Sequence, residues 1–287
     1  MQRILIDSHF LCHRAKYSLS GLSHNEKQTG VIFGFLKTLL MLSQTLKSNK
    51  FIFAWDSSKS LRRDIYPNYK KREEITDPEK IELEKISRPQ FAILRRYILP
   101  KMGFNNNFYL NGYEADDIIA SVIMDSDNSI IVSSDNDLYQ LLDKSSMFDL
   151  SKKSYYTRKD LMEEYSVTPQ QWRRVKECAG CTGDKVDGVK YMRGLKEVKI
   201  GYNVAAKYVT GTIKKGNVLD AILSKEGQET IKINSPLVVL PFEGTPEFNI
   251  VEDKLSLDGF MDICYEYNLL SFINTQLFDQ WKKIGLK

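Results

Sequence analysis

The chain of 287 residues predicts an α/β protein with a mostly parallel central sheet, and three observations carry that expectation. Short β-branched or aromatic runs at 4–6, 51–55 and 129–133 recur with longer amphipathic segments between them. Strand–helix alternation of this kind produces crossovers, and crossovers join parallel strands. Each run also ends at or shortly before an aspartate, namely Asp7, Asp56 and Asp135. Ligands of parallel sheets lie beyond the carboxyl ends of the strands, so the three aspartates are expected along one edge. Finally, Glu114-Ala115-Asp116-Asp117 opens an apolar helical segment and would join them at the same level.

The elements follow in order. Ile4-Leu5-Ile6 is a strand ending at Asp7, with a helix from about Phe10. Residues 31–46 have the apolar density of a core helix with Lys37 turned outward; the apolar part is too short to span a bilayer. Residues 51–55 form a second strand ending at Asp56. The next segment, 59–72, carries Lys59, Arg62, Arg63, Lys70, Lys71 and Arg72 against the single acid Asp64, with Tyr66, Pro67 and Tyr69 interleaved. Asp77-Pro78 opens a helix running to about Tyr97 and closed near Pro100. Residues 107–110 form a short strand, 118–123 a packed helix and 129–133 a buried strand. Thr157 with Asp160, and Thr168 with Pro169, are helix starts. A turn-rich segment follows at 182–188. The remainder is mostly helical, with an extended stretch at 237–240.

Composition narrows the function classes. Hydrophobic residues at 42% and charged residues at 27% suit a globular protein. Arg3-Ile4-Leu5-Ile6 runs straight into Asp7 without an apolar signal core, which predicts a cytoplasmic protein without membrane association. Four cysteines are too few for a disulfide framework. Cys178 and Cys181 form a C-x-x-C pair with no second pair beyond it, and His9, His13 and His24 all lie near the N-terminus. Reduced structural thiols are the expectation.

Many carboxylates with few imidazoles suit a hard cation, Mg²⁺ or Mn²⁺. There is no EF-hand loop, no G-x-S-x-G elbow and no phosphate-binding G-x-x-x-x-G-K-[ST]. Metal ions beside a basic, tyrosine-bearing segment point to phosphodiester hydrolysis. The cations would neutralise phosphates and the tyrosines would stack on bases. For either cluster alone, a solvated acidic or basic surface is the competing reading.

Five motifs in order resemble the 5′-nuclease (flap endonuclease) superfamily, particularly bacteriophage 5′→3′ exonucleases and the 5′-nuclease domain of bacterial DNA polymerase I. They are Ile6-Asp7; Asp56 with Pro67-Asn68-Tyr69-Lys70-Lys71-Arg72; Glu114-Ala115-Asp116-Asp117; Ser133-Ser134-Asp135-Asn136-Asp137 with Gln140-Leu141; and Gly183-Asp184-Lys185-Val186-Asp187. The resemblance implies a PIN-like domain over 1–166 with a helical arch at about 59–97. A helical region with a helix-three-turn-helix would follow over 167–287. It implies two Mg²⁺ ions, replaceable by Mn²⁺. Asp7, Asp56, Glu114 and Asp116 would serve the first and Asp137, Asp184 and Asp187 the second, with Asp135 and Asp117 nearby or bridging. Lys70 and Arg72 would contact the scissile phosphate, with Asp135 among the catalytic groups, and Tyr69 would stack on a terminal base. Lys59, Arg62, Arg63, Lys71, Lys199, Gly201 and Lys207 would complete the nucleic-acid surface. The implied substrates are 5′ ends of branched or nicked duplex DNA and RNA–DNA hybrids, as in RNA primer removal. The implied partner is a single-strand-binding or other replication protein, and the implied state is a monomer. A non-catalytic branched-DNA-binding protein and a PIN-like ribonuclease are the alternatives.

One departure stands out. Residues 190–198 are an insertion between Asp187-Gly188-Val189 and Lys199-Ile200-Gly201, where the family has a glycine-rich hairpin able to bind K⁺. Lys190, Arg193, Lys196, Lys199 and Lys207 offer a side-chain grip on phosphate in its place; a divergent surface hairpin is the alternative.

Overall fold

A computed structural model of the protein describes residues 2–19, 21–24, 27–124, 128–274 and 276–286. Its centre is a six-stranded sheet in the order Asn107–Tyr109, Lys50–Trp55, Arg3–Asp7, Ser129–Val132, Ser145–Asp149, Ser154–Tyr156. Every neighbouring pair is parallel except the last, which is antiparallel. Leu5 of the central strand is level with Ile52 on one side and Ile131 on the other.

Alternation along that strand divides the core. Ile4 and Ile6 face the helices Ser8–Ser18, Gly30–Leu46, Leu257–Glu266 and Leu277–Lys283, whereas Leu5 faces Ala115–Met124 and Pro169–Ala179. With both faces covered, the strands read as unbroken apolar runs, so these three were visible in the sequence. The last two strands were not. Ser145–Asp149 buries little beyond Met147 and Phe148, and Ser154–Tyr156 is an exposed edge without an apolar alternation to reveal it.

The expected helix to Tyr97 is α-helical over Pro78–Ile93 and widens to a π-helical turn at Leu94–Ile98. Pro100 has no N–H to give Arg96, and its ring would strike that carbonyl. The turn ahead of it widens accordingly, with the Leu99 N–H reaching Leu94. The extended stretch expected at 237–240 needs correction. Leu237 and Val238 complete the helix Lys225–Val238 and are buried against Tyr69 and Val186, and the chain becomes extended only at Val239. Burial against those partners overrides the β-branched propensity. The 190–198 insertion folds as an antiparallel hairpin of Lys190–Arg193 and Lys196–Lys199, turning at Gly194 with φ +66°. Phe272 and Trp281 of the C-terminal segment are fully buried in the core. Among the described residues, no helix is long and apolar enough to cross a membrane.

Candidate metal centre

Four aspartates meet at the carboxyl edge of the sheet, and three of them also organise the backbone there. Asp7 caps the helix Ser8–Ser18 through the Phe10 N–H at 3.0 Å and accepts from the Ser133 hydroxyl at 3.0 Å. Asp56 accepts from the Ala115 N–H at 2.8 Å, which opens the helix Ala115–Met124, and its own N–H donates to His9 Nδ1 at 3.1 Å. Asp135 caps the 3₁₀ helix Asn136–Leu141 through the Asp137 N–H at 2.9 Å. Asp116 stands in the first turn of the helix that Asp56 opens.

Crowding is written into their protonation. Burial pushes the Asp7 carboxyl up to about 7, reinforced by Asp56 and Asp135. Asp116 is raised well above the usual range by burial and then by Asp135, Asp7 and Asp56. A divalent cation relieves both causes at once, since it replaces lost hydration and neutralises mutual repulsion.

The neighbouring acids are treated differently. Glu114 accepts from Lys70 Nζ at 2.8 Å, Tyr69 OH at 3.0 Å and Ser60 Oγ at 3.0 Å. Burial works against its charge, but Lys70 and Arg62 more than offset this and hold it below the usual range. Lys70 has a left-handed backbone, φ +48°, and its N–H donates to the Asp184 carbonyl at 2.8 Å. That anchor places its ammonium between Glu114 and Asp184, 3.7 Å from the latter's Oδ1. Asp184 is raised by burial despite Lys70.

A second cluster lies beside this one. One ligand atom each from Asp137, Cys181 and Asp184 fall within 4.8 Å of one another. Asp137 is raised to about 6 by burial and by Asp135. It pairs with the fully buried Lys176, whose ammonium also donates to Asn136 Oδ1 at 2.8 Å and Tyr202 OH at 3.0 Å.

Four expectations require correction. Asp117 is fully buried, and its carboxylate takes both Arg62 guanidinium nitrogens at 2.7 and 2.8 Å, plus the Glu114 and Phe242 N–H groups at 3.0 and 2.9 Å. With its lone pairs committed, it is a structural anion, not a metal ligand. Arg62 is correspondingly withdrawn from any nucleic-acid surface, because it also donates to the Leu237 carbonyl at 2.9 Å. Tyr69 is 3% exposed, bonded to Glu114 and covered by Leu237 and Val238, so its ring cannot stack on a base. Asp187 is 58% exposed, turned to Lys199, and held below the usual range by that lysine; among the described residues it is not in the group that Asp137, Cys181 and Asp184 form. Lys199 is thereby engaged as well.

Other expected groups line two clefts that share Asp7. One, of about 660 Å³, brings Lys59, Arg63, Lys70 and Arg72 to Asp56 and Glu114, and adds Arg88, Arg95 and Arg96 from the Pro78–Ile93 helix and the turn after it. The other, of about 630 Å³, joins Asp135 to Gly180, Cys181, Gly183, Lys199 and Gly201. Lys71 and Lys207 are exposed. Gly201 caps the Tyr202–Val209 helix, with Lys207 in its last turn. Sequence patterns missed Lys176, His9 and the arginines at 88 and 95, since no fixed offset links any of them to the acidic motifs. The C-x-x-C pair did flag Cys181, but as a structural thiol and not as a neighbour of Asp137 and Asp184.

Comparison with known proteins identifies relatives of the chain. The model of the family described as 5′-3′ exonuclease, N-terminal resolvase-like domain, matches residues 2–166. A DNA polymerase I from Deinococcus radiodurans is 32% identical over 220 residues, covering 74% of this chain and 21% of the relative. A 5′-3′ exonuclease from Buchnera aphidicola is 29% identical over 194 residues, covering 65% of this chain and 64% of the relative. The chain thus spans under a third of the polymerase and just under two thirds of the exonuclease. A bacteriophage T5 flap endonuclease in a pseudo-enzyme-product complex with DNA and metal ions superposes with TM-score 0.63 at 25% identity, over 84% of this chain and 90% of that one. A T5 5′-exonuclease with bound zinc gives TM-score 0.64 at 23% identity, over 93% and 99%. With the family model covering more than half of its length, this chain belongs to the 5′-3′ exonuclease family with an N-terminal resolvase-like domain.

Proposed function

We propose that the protein is a divalent-metal-dependent, structure-specific 5′-nuclease that hydrolyses phosphodiester bonds at 5′ ends of flap, branched or nicked duplex DNA and of RNA–DNA hybrids, as in RNA primer removal. One observation carries the reading: Asp7, Asp56, Asp116 and Asp135 act on one another's charge, Asp135 also acts on Asp137 and Asp184, and Asp7 and Asp56 line a cleft together with lysine and arginine. Acids this crowded fit hard cations, and the flanking cations fit a polyanion.

In this reading Asp7, Asp56, Glu114 and Asp116 hold one Mg²⁺ and Asp137 with Asp184 a second, Asp135 lying between; Mn²⁺ substitutes for either. Such ions supply Lewis-acid polarisation of the phosphate and a nucleophilic water at neutral pH. The chain's own residues do the rest. The Ser133 hydroxyl and the Ala115 N–H fix the directions of the Asp7 and Asp56 carboxylates. Lys70, aimed by its backbone bond to Asp184, and Arg72 in the same cleft neutralise charge gathering on the scissile phosphate. Lys59, Arg63 and Lys71 then meet phosphates nearby. The sheet-bearing half, 1–166, acts as a PIN-like domain with 59–97 as its arch. Residues 167–287 act as the helix-three-turn-helix half, gripping duplex through Gly201, Lys207 and the basic hairpin.

The test is a 5′-labelled flap and a nicked duplex incubated with Mg²⁺, with and without EDTA. Cleavage should require the metal, and Asp135→Asn and Asp184→Asn should abolish it while leaving duplex binding intact. Cleavage by Asp184→Asn at the parent rate would refute the second-ion assignment. Duplex binding without metal-dependent cleavage would favour the non-catalytic alternative.

A further inference from the structure

The C-x-x-C pair is the one sequence motif that the nuclease chemistry does not use, and its second member stands inside the acidic centre. We propose that Asp137, Cys181 and Asp184 form a site selective for a thiophilic divalent cation, Zn²⁺ or Cd²⁺, overlapping the place where the two carboxylates alone would hold Mg²⁺.

Three features support the assignment. The first is the donor set. Two carboxylate oxygens and one sulfur within 4.8 Å of one another offer three protein ligands, the number found in open zinc sites. Mg²⁺ draws nothing from sulfur, whereas Zn²⁺ and Cd²⁺ gain affinity from a thiolate, so the thiol separates the two classes of metal.

The second is rigidity. Cys181 and Val186 exchange both backbone hydrogen bonds, at 3.0 and 2.9 Å, which ties the loop carrying Cys181 and Asp184 into a closed unit. Gly180, at φ +67°, leads into it. A Cβ there would meet the Val186 carbonyl at 2.5 Å, so the approach is as close as a glycine allows. Asp137 is held from the other side by buried Lys176. The donors therefore need little rearrangement to close on an ion.

The third is access. Cys12, Cys178 and Cys264 are buried, while Cys181 is half-buried and lines the 630 Å³ cleft. On binding, the Cys181 S–H bond breaks, its proton leaves to solvent and a sulfur–metal bond forms, with no change of oxidation state. Binding itself does not depend on the nuclease reading. One consequence does rest on it: a thiophilic ion seated here excludes Mg²⁺ from the Asp137–Asp184 pair and inhibits cleavage.

The full chain, titrated with Cd²⁺ in excess Mg²⁺, should develop the ultraviolet charge-transfer absorption of a cadmium–thiolate bond, saturating at one equivalent. Cys181→Ser should abolish the band and weaken Cd²⁺ binding by at least about tenfold, since even an outer-shell loss has that effect. Cys178→Ser should keep both. Asp184→Asn, which leaves the thiol in place, should weaken binding similarly and serves if the cysteine variant fails to fold. A band that survives in Cys181→Ser, or no band in the parent protein, overturns the proposal. The absorption needs no substrate, so loss of the band with cleavage intact, or the reverse, shows which of the two readings has failed.

Discussion

Asp116 and Asp117 are consecutive residues in one helical turn, yet their surroundings are opposite. A rotation of about 100° per residue points Asp116 toward Asp7, Asp56 and Asp135, where burial and like charge drive its carboxyl up. The same rotation points Asp117 at Arg62, the Phe242 N–H and the Glu114 N–H, where every oxygen is satisfied. One is an acid kept frustrated until a cation arrives; the other joins the basic segment to residues 237–242 of the C-terminal half. Identical side chains in one motif thus divide into a binding group and a structural one according to what faces them.

The largest effect should come from breaking the structural member. Asp117→Ala leaves the Arg62 guanidinium buried without its partner, which costs about 3–5 kcal/mol, read as a lowered midpoint in urea. Asp117→Asn should fall short of that but remain well below the parent. If either variant keeps parental stability, the two acids do not differ as described. Asp116→Asn should do the reverse: the metal-free protein melts no lower, or higher, at pH 7, while cleavage and the Mg²⁺-induced rise in melting temperature are lost.

A pH series sharpens the contrast. Asp7, raised to about 7, and Asp137, raised to about 6, hold protons in the folded state that the unfolded chain releases near the ordinary value of 3.8. Between those limits the folded state binds more protons, so these groups make stability fall as pH rises from about 4 to about 7 and level off above it. His9 and His13, lowered by burial, act in the opposite direction over the lower part of this window. The contribution of the crowded acids is therefore read as a difference. In EDTA the melting temperature of Asp7→Asn relative to the parent should rise between about pH 4 and about pH 7, and saturating Mg²⁺ should remove that rise. A difference that stays constant over the window would contradict the crowding of the acids. The smallest effect belongs to the exposed surface. Lys207→Ala should weaken duplex binding uniformly across sequences and reduce the slope of log K against log salt by roughly 1, with no change in melting temperature.

Much of the centre was legible from strand ends. Asp7, Asp56 and Asp135 could be placed together because apolar runs announced parallel strands and parallel strands share a carboxyl edge. Glu114 and Asp116 followed from the helix start that Asp56 caps. Asp184 was found only through a motif, since nothing local ties the loop at 181–186 to the sheet; the Lys70 N–H bond to its carbonyl does so in space.

The limits of the sequence lie in partner choice. It determined the alternation of strands and helices, the shared edge and an excess of carboxylates there, because those depend on periodicity and short-range caps. It could not assign Arg62 to Asp117, Tyr69 to Glu114, Lys176 to Asp137, Lys199 to Asp187 or Cys181 to the acidic centre. The four residue pairs are separated by 12 to 55 residues and share no repeat, so only packing decides which charge meets which. That decision separates ligand from scaffold: a carboxylate beside a guanidinium is already neutralised, and one beside three other carboxylates still needs a metal ion.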